Sequence, residues 1–311
     1  MSIVAVMNYK GGVGKTTLTA NLGGEVAKRG HRVLLIDLDP QANLTFSFYS
    51  LPQWHEGLDQ RTIKQWYEGD IPGREVPLSE LIVTPEQAND AISDNGGRLD
   101  LISSHLGLID IDLHLASKLG GTTLQESKRR YLTLHGCLRR ALQDKSFDDY
   151  DLVLIDCAPN FGLVTKTAIV ASDHVLVPAK ADYLSTLGIS YLAGSCDKLV
   201  EEYNDYVGHG PNDGTSKINP RFLGIVFTMV KIYAARPIGT QQNYIEEVRA
   251  NAGLPVLSTV MRDSPRHYGD AGARGIPAML TAPMSDDVAT EFRHLAEEIM
   301  QQISLEKGGQ R

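Results

Sequence analysis

Residues 8–17 read Asn-Tyr-Lys-Gly-Gly-Val-Gly-Lys-Thr-Thr, and this run carries most of the chemistry legible in the chain. Gly11, Gly12 and Gly14 allow successive backbone N–H groups to turn toward one anion, because a residue without Cβ tolerates the positive φ that such a turn demands. Lys15 can then reach the β- and γ-phosphates of a nucleotide, and Thr16 can place its hydroxyl on Mg²⁺. Val13 and Thr17 complete the cradle. The frame departs from the generic phosphate loop in two ways: Tyr9 stands where a glycine is usual, and a second lysine, Lys10, sits at the entrance. A glycine-rich turn that binds nothing is the bland alternative. It is disfavoured because residues 2–7 read as a buried strand and residues 17–29 as a helix whose positive end faces the loop.

Three carboxylates complement these cations. Residues 35–40 are Leu-Ile-Asp-Leu-Asp-Pro, and the period-2 geometry of an extended chain puts Asp37 and Asp39 on one side, facing the crevice beside the loop. Two acids that close to a triphosphate make sense when Mg²⁺ or an attacking water lies between them. Asp39 could instead cap the turn before Pro40. Residues 150–159, Tyr-Asp-Leu-Val-Leu-Ile-Asp-Cys-Ala-Pro, form an apolar run closed by Asp156, where a Walker B carboxylate would meet hydrated Mg²⁺.

Elements that could position these groups recur along the chain. Apolar runs at 2–7, 31–36, 98–102, 152–155, 174–178, 222–228 and 254–257 alternate with helix-like segments. Continuous Val/Ile/Leu runs predict strands buried on both faces, hence an α/β fold: a doubly wound, mostly parallel sheet with helices on both faces. The spacing predicts a closing helix over 287–303, with Val288, Phe292, Leu295, Ile299 and Ile303 on one stripe. Residues 49–97, punctuated by Pro52, Pro72, Gly73 and the Gly96-Gly97 pair, and residues 204–220 read as elaborations. Trp54, Trp66 and Tyr67 in the first of these are expected to pack inside.

At 311 residues and 42% hydrophobic content, one large domain over 1–311 is expected. No signal peptide or membrane span is legible. Cys137, Cys157 and Cys196 lack metal-site spacing, so a cytoplasmic protein with reduced thiols is expected. The net charge of −8 argues against nucleic acid, yet residues 217–274 hold eight basic and four acidic side chains. That asymmetry fits an anionic partner for one face.

The three runs, with Lys-Gly-Gly-Val-Gly-Lys-Thr-Thr, Leu-Leu-Ile-Asp-Leu-Asp-Pro-Gln-Ala-Asn and Asp-Leu-Val-Leu-Ile-Asp-Cys-Ala-Pro-Asn-Phe-Gly at their centres, resemble the motifs of the ParA/Soj partition ATPases. These are P-loop NTPases of the deviant Walker A type, the group that also contains MinD. The likeness covers nearly the whole chain outside the two elaborations. It implies ATP and Mg²⁺ as cofactors and a slow, partner-stimulated ATP hydrolase. Asp39 would be the catalytic aspartate, and Lys10 would reach across a dimer interface to the partner's phosphates. The phosphate loop from Lys10 through Gly11, Gly12, Val13, Gly14, Lys15 and Thr16 to Thr17 would bind the nucleotide. Metal ligation would fall to Thr16, Asp37 and Asp156. Where family members often have Ile-Pro-Arg-Asn, this chain has Val260-Met261-Arg262-Asp263, which assigns Met261 and Asp263 to the adenine pocket. The resemblance further implies nonspecific DNA binding through Arg236, Arg262 and Arg266, a ParB-like or cargo adaptor, nucleoid association, and segregation of a plasmid or chromosome.

A MinD-like membrane-positioning role would want a basic, apolar helix at the end, which residues 305–311 do not supply. An electron carrier of the nitrogenase-reductase kind would want cysteines bridging an iron–sulfur cluster, and Cys157 lacks a suitable second. Positioning of a protein cargo is the remaining alternative. Lys15→Ala is expected to abolish ATP binding in a calorimetric titration; wild-type affinity would reduce the loop to an ordinary turn.

Overall fold

The computed structural model describes residues 1–69, 76–92, 95–209, 215–234, 236–269, 275–283 and 285–305. Pro72, Gly73, Asp270 and Arg274, which entered the reading of the sequence, lie outside them, as do 210–214 of the second elaboration and 306–311 of the tail. Ten strands are described: β1 (Ser2–Val6), β2 (Arg32–Leu38), β3 (Ile82–Val83), β4 (Arg98–Ile102), β5 (Leu152–Cys157), β6 (His174–Lys180), β7 (Arg221–Val230), β8 (Ile232–Tyr233), β9 (Arg236–Pro237) and β10 (Val256–Arg262). Eight form one sheet in the order β10-β7-β6-β1-β5-β2-β4-β3, while β8 and β9 pair separately. Every pairing in the large sheet is parallel except β3 with β4. The sheet is thus the mostly parallel one expected, with a short antiparallel strand closing one edge.

Helices cover both faces. On one, α1 (Lys15–Lys28) contributes Leu18, Leu22 and Val26 to a core shared with Phe292, Leu295 and Ile299. On the other, α2 (Leu163–Ala171) and α3 (Tyr183–His209) bury Val164, Ala168, Ile189 and Leu192. The chain leaves β1 toward one face and β5 toward the other, although these strands are neighbours. That divergence opens a crevice at their carboxyl ends, the topological switch point of doubly wound sheets. Register then aligns the chemistry: Val6 and Asp37 both lie opposite Asp156.

Two further helices, α4 (Gly239–Asn251) and α5 (Asp287–Gln302), complete the set used below. The stripe expected on α5 is buried, and Asp286 caps it by accepting from the Val288 N–H at 2.8 Å. Several boundaries differ from expectation. Helix α1 begins at Lys15 rather than residue 17, because Gly14 at φ 79° turns the chain directly into it. Strand β10 runs to Arg262 rather than stopping at 257. Its polar Ser258 and Thr259 are held by Glu298 of α5, four hydrogen bonds that a hydrophobicity pattern cannot reveal. Residues 204–209 are not loop but the end of α3, where the Asn204 amide brackets the Ile218 backbone with two bonds of 2.8 Å. Trp54 and Tyr67 are buried as expected, Trp66 only partly.

Helix α1 sits so close to the sheet that a Cβ on Gly23 would lie 2.7 Å from Leu35 Cδ2. An alanine there gains helix propensity against that crowding, but a leucine cannot fit. Gly23→Leu is expected to destabilise the protein by about 1–3 kcal/mol, read as a lowered denaturant midpoint with unchanged slope.

Candidate active site

The loop between β1 and α1 is built for an anion. Gly12 and Gly14 take φ 66° and 79°, and a Cβ on Gly11 or Gly12 would meet nothing within 4 Å, so the concave side is open. Two tethers fix its shape. Asn8 donates to Pro178 O at 2.7 Å and accepts from Lys10 N at 2.9 Å. The Thr228 hydroxyl, at the end of β7, donates to Val13 O at 2.7 Å. Lys15 is buried beneath the loop at 6% exposure, with the amino end of α1 adding its partial positive charge.

The three acids converge as the spacing implied, in unequal environments. Asp156 is fully buried; its Oδ2 accepts from the Thr16 hydroxyl at 2.7 Å while its Oδ1 has no hydrogen-bond partner. Burial, then the negative Asp37 beside it, pushes the Asp156 carboxyl well above the usual range. Asp37 is equally buried and raised to about 7 by desolvation, against the lowering effect of its hydrogen bonds. Those bonds engage both oxygens: Oδ2 accepts from the Thr45 amide and hydroxyl, each at 2.8 Å, and Oδ1 from Asp39 N at 3.1 Å. Asp39 is slightly exposed; its Oδ1 accepts from Gln41 N at 2.9 Å and its carbonyl from the Ser104 hydroxyl at 2.8 Å.

The unmatched Asp156 oxygen next to a threonine hydroxyl is what a small hard cation with hydrated remaining positions would satisfy. Among the described residues no cluster of three or more His, Cys, Asp or Glu could hold a metal by itself. The unmatched Asp156 oxygen and the Thr16 hydroxyl therefore fit Mg²⁺ bound with a nucleotide.

Beyond the loop lies a cavity of about 290 Å³ between Gly14, Thr17 and Leu18 on one side and Thr228, Met229, Met261, Asp263, Tyr268 and Phe292 on the other. Met261 and Asp263 are thus brought to the loop, with apolar and aromatic faces for a flat base. Met229 holds φ 54° there, a left-handed conformation costing about 1–2 kcal/mol in a residue with a side chain.

The arginines separate. Arg236 and Arg266 are exposed, whereas Arg262 is not in a loop but ends β10. Its backbone N–H and Nε reach Glu291 at 2.9 and 2.7 Å, and its Nη1 meets Asp287. Lys10 points to neither phosphate loop nor acids: its Nζ lies 2.8 and 2.9 Å from the Asp182 carboxylate. Thr228, Thr45 and Asp182 were missed in the sequence. For Thr228 a signal existed, a polar residue closing an apolar strand.

Fold and site together define a P-loop ATPase, and the comparisons with known proteins narrow it. A family model described as an AAA domain matches residues 1–208. The chain is 31% identical over 303 residues to the chromosome-partitioning ATPase Soj of Thermus thermophilus, covering 96% of each. It is 30% identical over 299 residues to the sporulation initiation inhibitor protein Soj of Bacillus subtilis, covering 96% of this chain and 97% of that protein. The chain belongs to the ParA/Soj family of partition ATPases. The structure of cobyrinic acid a,c-diamide synthase from Mycobacterium smegmatis with ADP and magnesium has the same fold, with a TM-score of 0.68 at 23% identity over 100% of this chain and 99% of that one.

Raised carboxylates give a signed prediction. The native protein retains protons on Asp37 and Asp156 that the unfolded chain releases above about pH 4, so stability without nucleotide falls as pH rises from about 4 through 7. Asp156→Asn removes the Asp156 part of that contribution. Its melting temperature at pH 7.5 should exceed wild type by about 2 °C or more, and magnesium-dependent nucleotide binding should be lost.

Proposed function

We propose that this chain is one ATPase domain over 1–311 that dimerises on Mg·ATP, binds DNA without sequence preference as that dimer, and moves a plasmid or chromosome with a ParB-like partner. The observation that carries this reading is the division between two lysines: Lys15 buried under its own loop, and Lys10 at the surface beside exposed apolar residues. A cation needed only for its own phosphates has no reason to sit outside.

In this reading Lys15 and the loop amides hold the phosphates, from Lys10 through Thr17. Thr16 and Asp156 hold Mg²⁺, which supplies charge neutralisation at the phosphates. Asp37, with both oxygens already engaged, shapes the metal pocket by fixing Thr45 and Asp39. Asp39, with its carboxylate at the crevice, positions the attacking water, a contribution realised mainly in the transition state. Met261 and Asp263 face the adenine; a carboxylate accepts from the N6 amino group.

Among the described residues no helix is long and apolar enough to cross a membrane, and we infer action in the cytoplasm, on the nucleoid. Arg236 and Arg266 are the exposed candidates for DNA phosphates. Arg262 is better assigned to closing the base cavity, since meeting DNA would require leaving two carboxylates.

Binding through phosphate contacts is steeply salt-dependent, each contact contributing about 0.9 to the log–log slope. Arg236→Ala and Arg266→Ala should each weaken ATP-dependent binding to any duplex and lower that slope by about 0.9, with ATP hydrolysis in the absence of partner unchanged. Arg262→Ala should instead weaken nucleotide binding. No ATP-dependent binding at low salt in a surface titration would transfer the reading to a protein-cargo-positioning ATPase.

A further inference from the structure

Ser264 lines the cavity beyond the phosphate loop, beside Asp263, and it is tied to two groups behind it. Its hydroxyl lies 2.6 Å from His267 Nδ1, and His267 Nε2 lies 2.9 Å from Asp286 Oδ2. The backbone sets this spacing: a short helical turn, Pro265–Tyr268, starts after Ser264, whose carbonyl accepts from the His267 amide at 3.0 Å. Asp286 is held as well, since its Oδ1 caps α5 by accepting from the Val288 amide. The imidazole and the carboxylate are mostly buried, with 24% and 23% of their side chains exposed.

This run of bonds fixes where each proton goes. A carboxylate only accepts, so His267 Nε2 carries the ring's proton, and in the neutral imidazole Nδ1 is then an acceptor. Ser264 must donate its one hydroxyl proton to Nδ1. What the hydroxyl has left is lone pairs, so toward the cavity it can accept and cannot donate. We propose that Ser264, oriented through His267 and Asp286, is a specificity-determining residue that accepts from the exocyclic amino group of a base, so that the cavity takes a 6-aminopurine over a 6-oxopurine. The inference rests on the reading of this cavity as the base site and adds the device that discriminates. An amino group has two hydrogens, and Asp263 and Ser264 supply two acceptors. A 6-oxo group would set its own lone pairs against both. His267 and Asp286 are not among the lining residues; they act by positioning the serine proton.

Calorimetric titration of the full chain at pH 8 with Mg·ATP, Mg·ITP and Mg·ribose 5-triphosphate tests this. The wild type should favour ATP over ITP, and Ser264→Ala should lower that ratio of affinities about two- to tenfold, the worth of one neutral hydrogen bond. Because the readout is a ratio within one protein, a general loss of affinity cancels. Asp286→Asn is the sharper variant. Its amide oxygen can still cap α5, while its NH₂ donates to Nε2; the ring proton then sits on Nδ1 and the serine proton is released toward the cavity. Its ratio should fall at least as far as in Ser264→Ala. An unchanged ratio in Ser264→Ala, or a wild type indifferent between ATP and ITP, overturns the assignment of Ser264 and leaves the base site standing. A ratio lowered in Ser264→Ala but unchanged in Asp286→Asn overturns the relay. A wild type that binds ribose 5-triphosphate as tightly as ATP overturns the base reading of the cavity and this inference with it.

Discussion

The structure turns on a carboxylate placed where it cannot be satisfied by protein alone. Asp156 sits at the end of the central strand β5, fully buried, one oxygen on Thr16 and the other unmatched. A buried polar atom without a partner costs on the order of 1–3 kcal/mol, more when charged. Holding it there requires β1, β2 and β5 to end at one level, and the in-register pairing Val6, Asp156, Asp37 across three strands does that. Neighbouring acids worsen the strain, while Lys15 and the threonine relieve it. The fold is thus destabilised at the place where a cation would complete it, the usual price of a preorganised centre.

Much of this was readable in residues 1–180. A strand buried on both faces is an uninterrupted apolar run, so each core strand announces itself, and the residue that ends it stands at the crevice. That is why the sequence pattern alone brings the loop, Asp37, Asp39 and Asp156 to one crevice. What failed was anything decided by a partner distant in sequence. The polar half of β10 is a strand because Glu298 of α5 meets it, and residues 204–209 are helix because Asn204 grips Ile218. The hold that Thr45 has on the Asp37 carboxylate was likewise not legible, because it depends on how the chain turns after Pro40.

The same limit explains Lys10. Its presence was legible and its environment was not, since Asp182 follows it by 172 positions. Two lysines five residues apart differ because α1 begins at the second of them. The Gly14 turn sends Lys15 inward under the loop and leaves Lys10 on the outer side, near Tyr9 and Tyr191. A single glycine conformation therefore separates a buried cation from one at the surface.

The cavity beyond the phosphate loop is walled by parts that no contiguous motif contains. The family model ends at residue 208, whereas the cavity wall comes from Thr228, Met229, Met261, Asp263, Tyr268 and Phe292. These residues are brought to the loop by three separate ties: Thr228 to Val13, Asp263 N to Val230 O, and Arg262 to Glu291 and Asp287 of α5. Because β7, β10 and α5 all converge on that cavity, a base seated there would press on the last strand and the last helix together. The hairpin of exposed Arg236 follows the end of β7 at Val230, where Gln241 of α4 donates to the Met229 carbonyl and accepts from the Lys231 amide. The base cavity and that hairpin are thus joined through one residue of left-handed conformation, Met229, and one glutamine, Gln241.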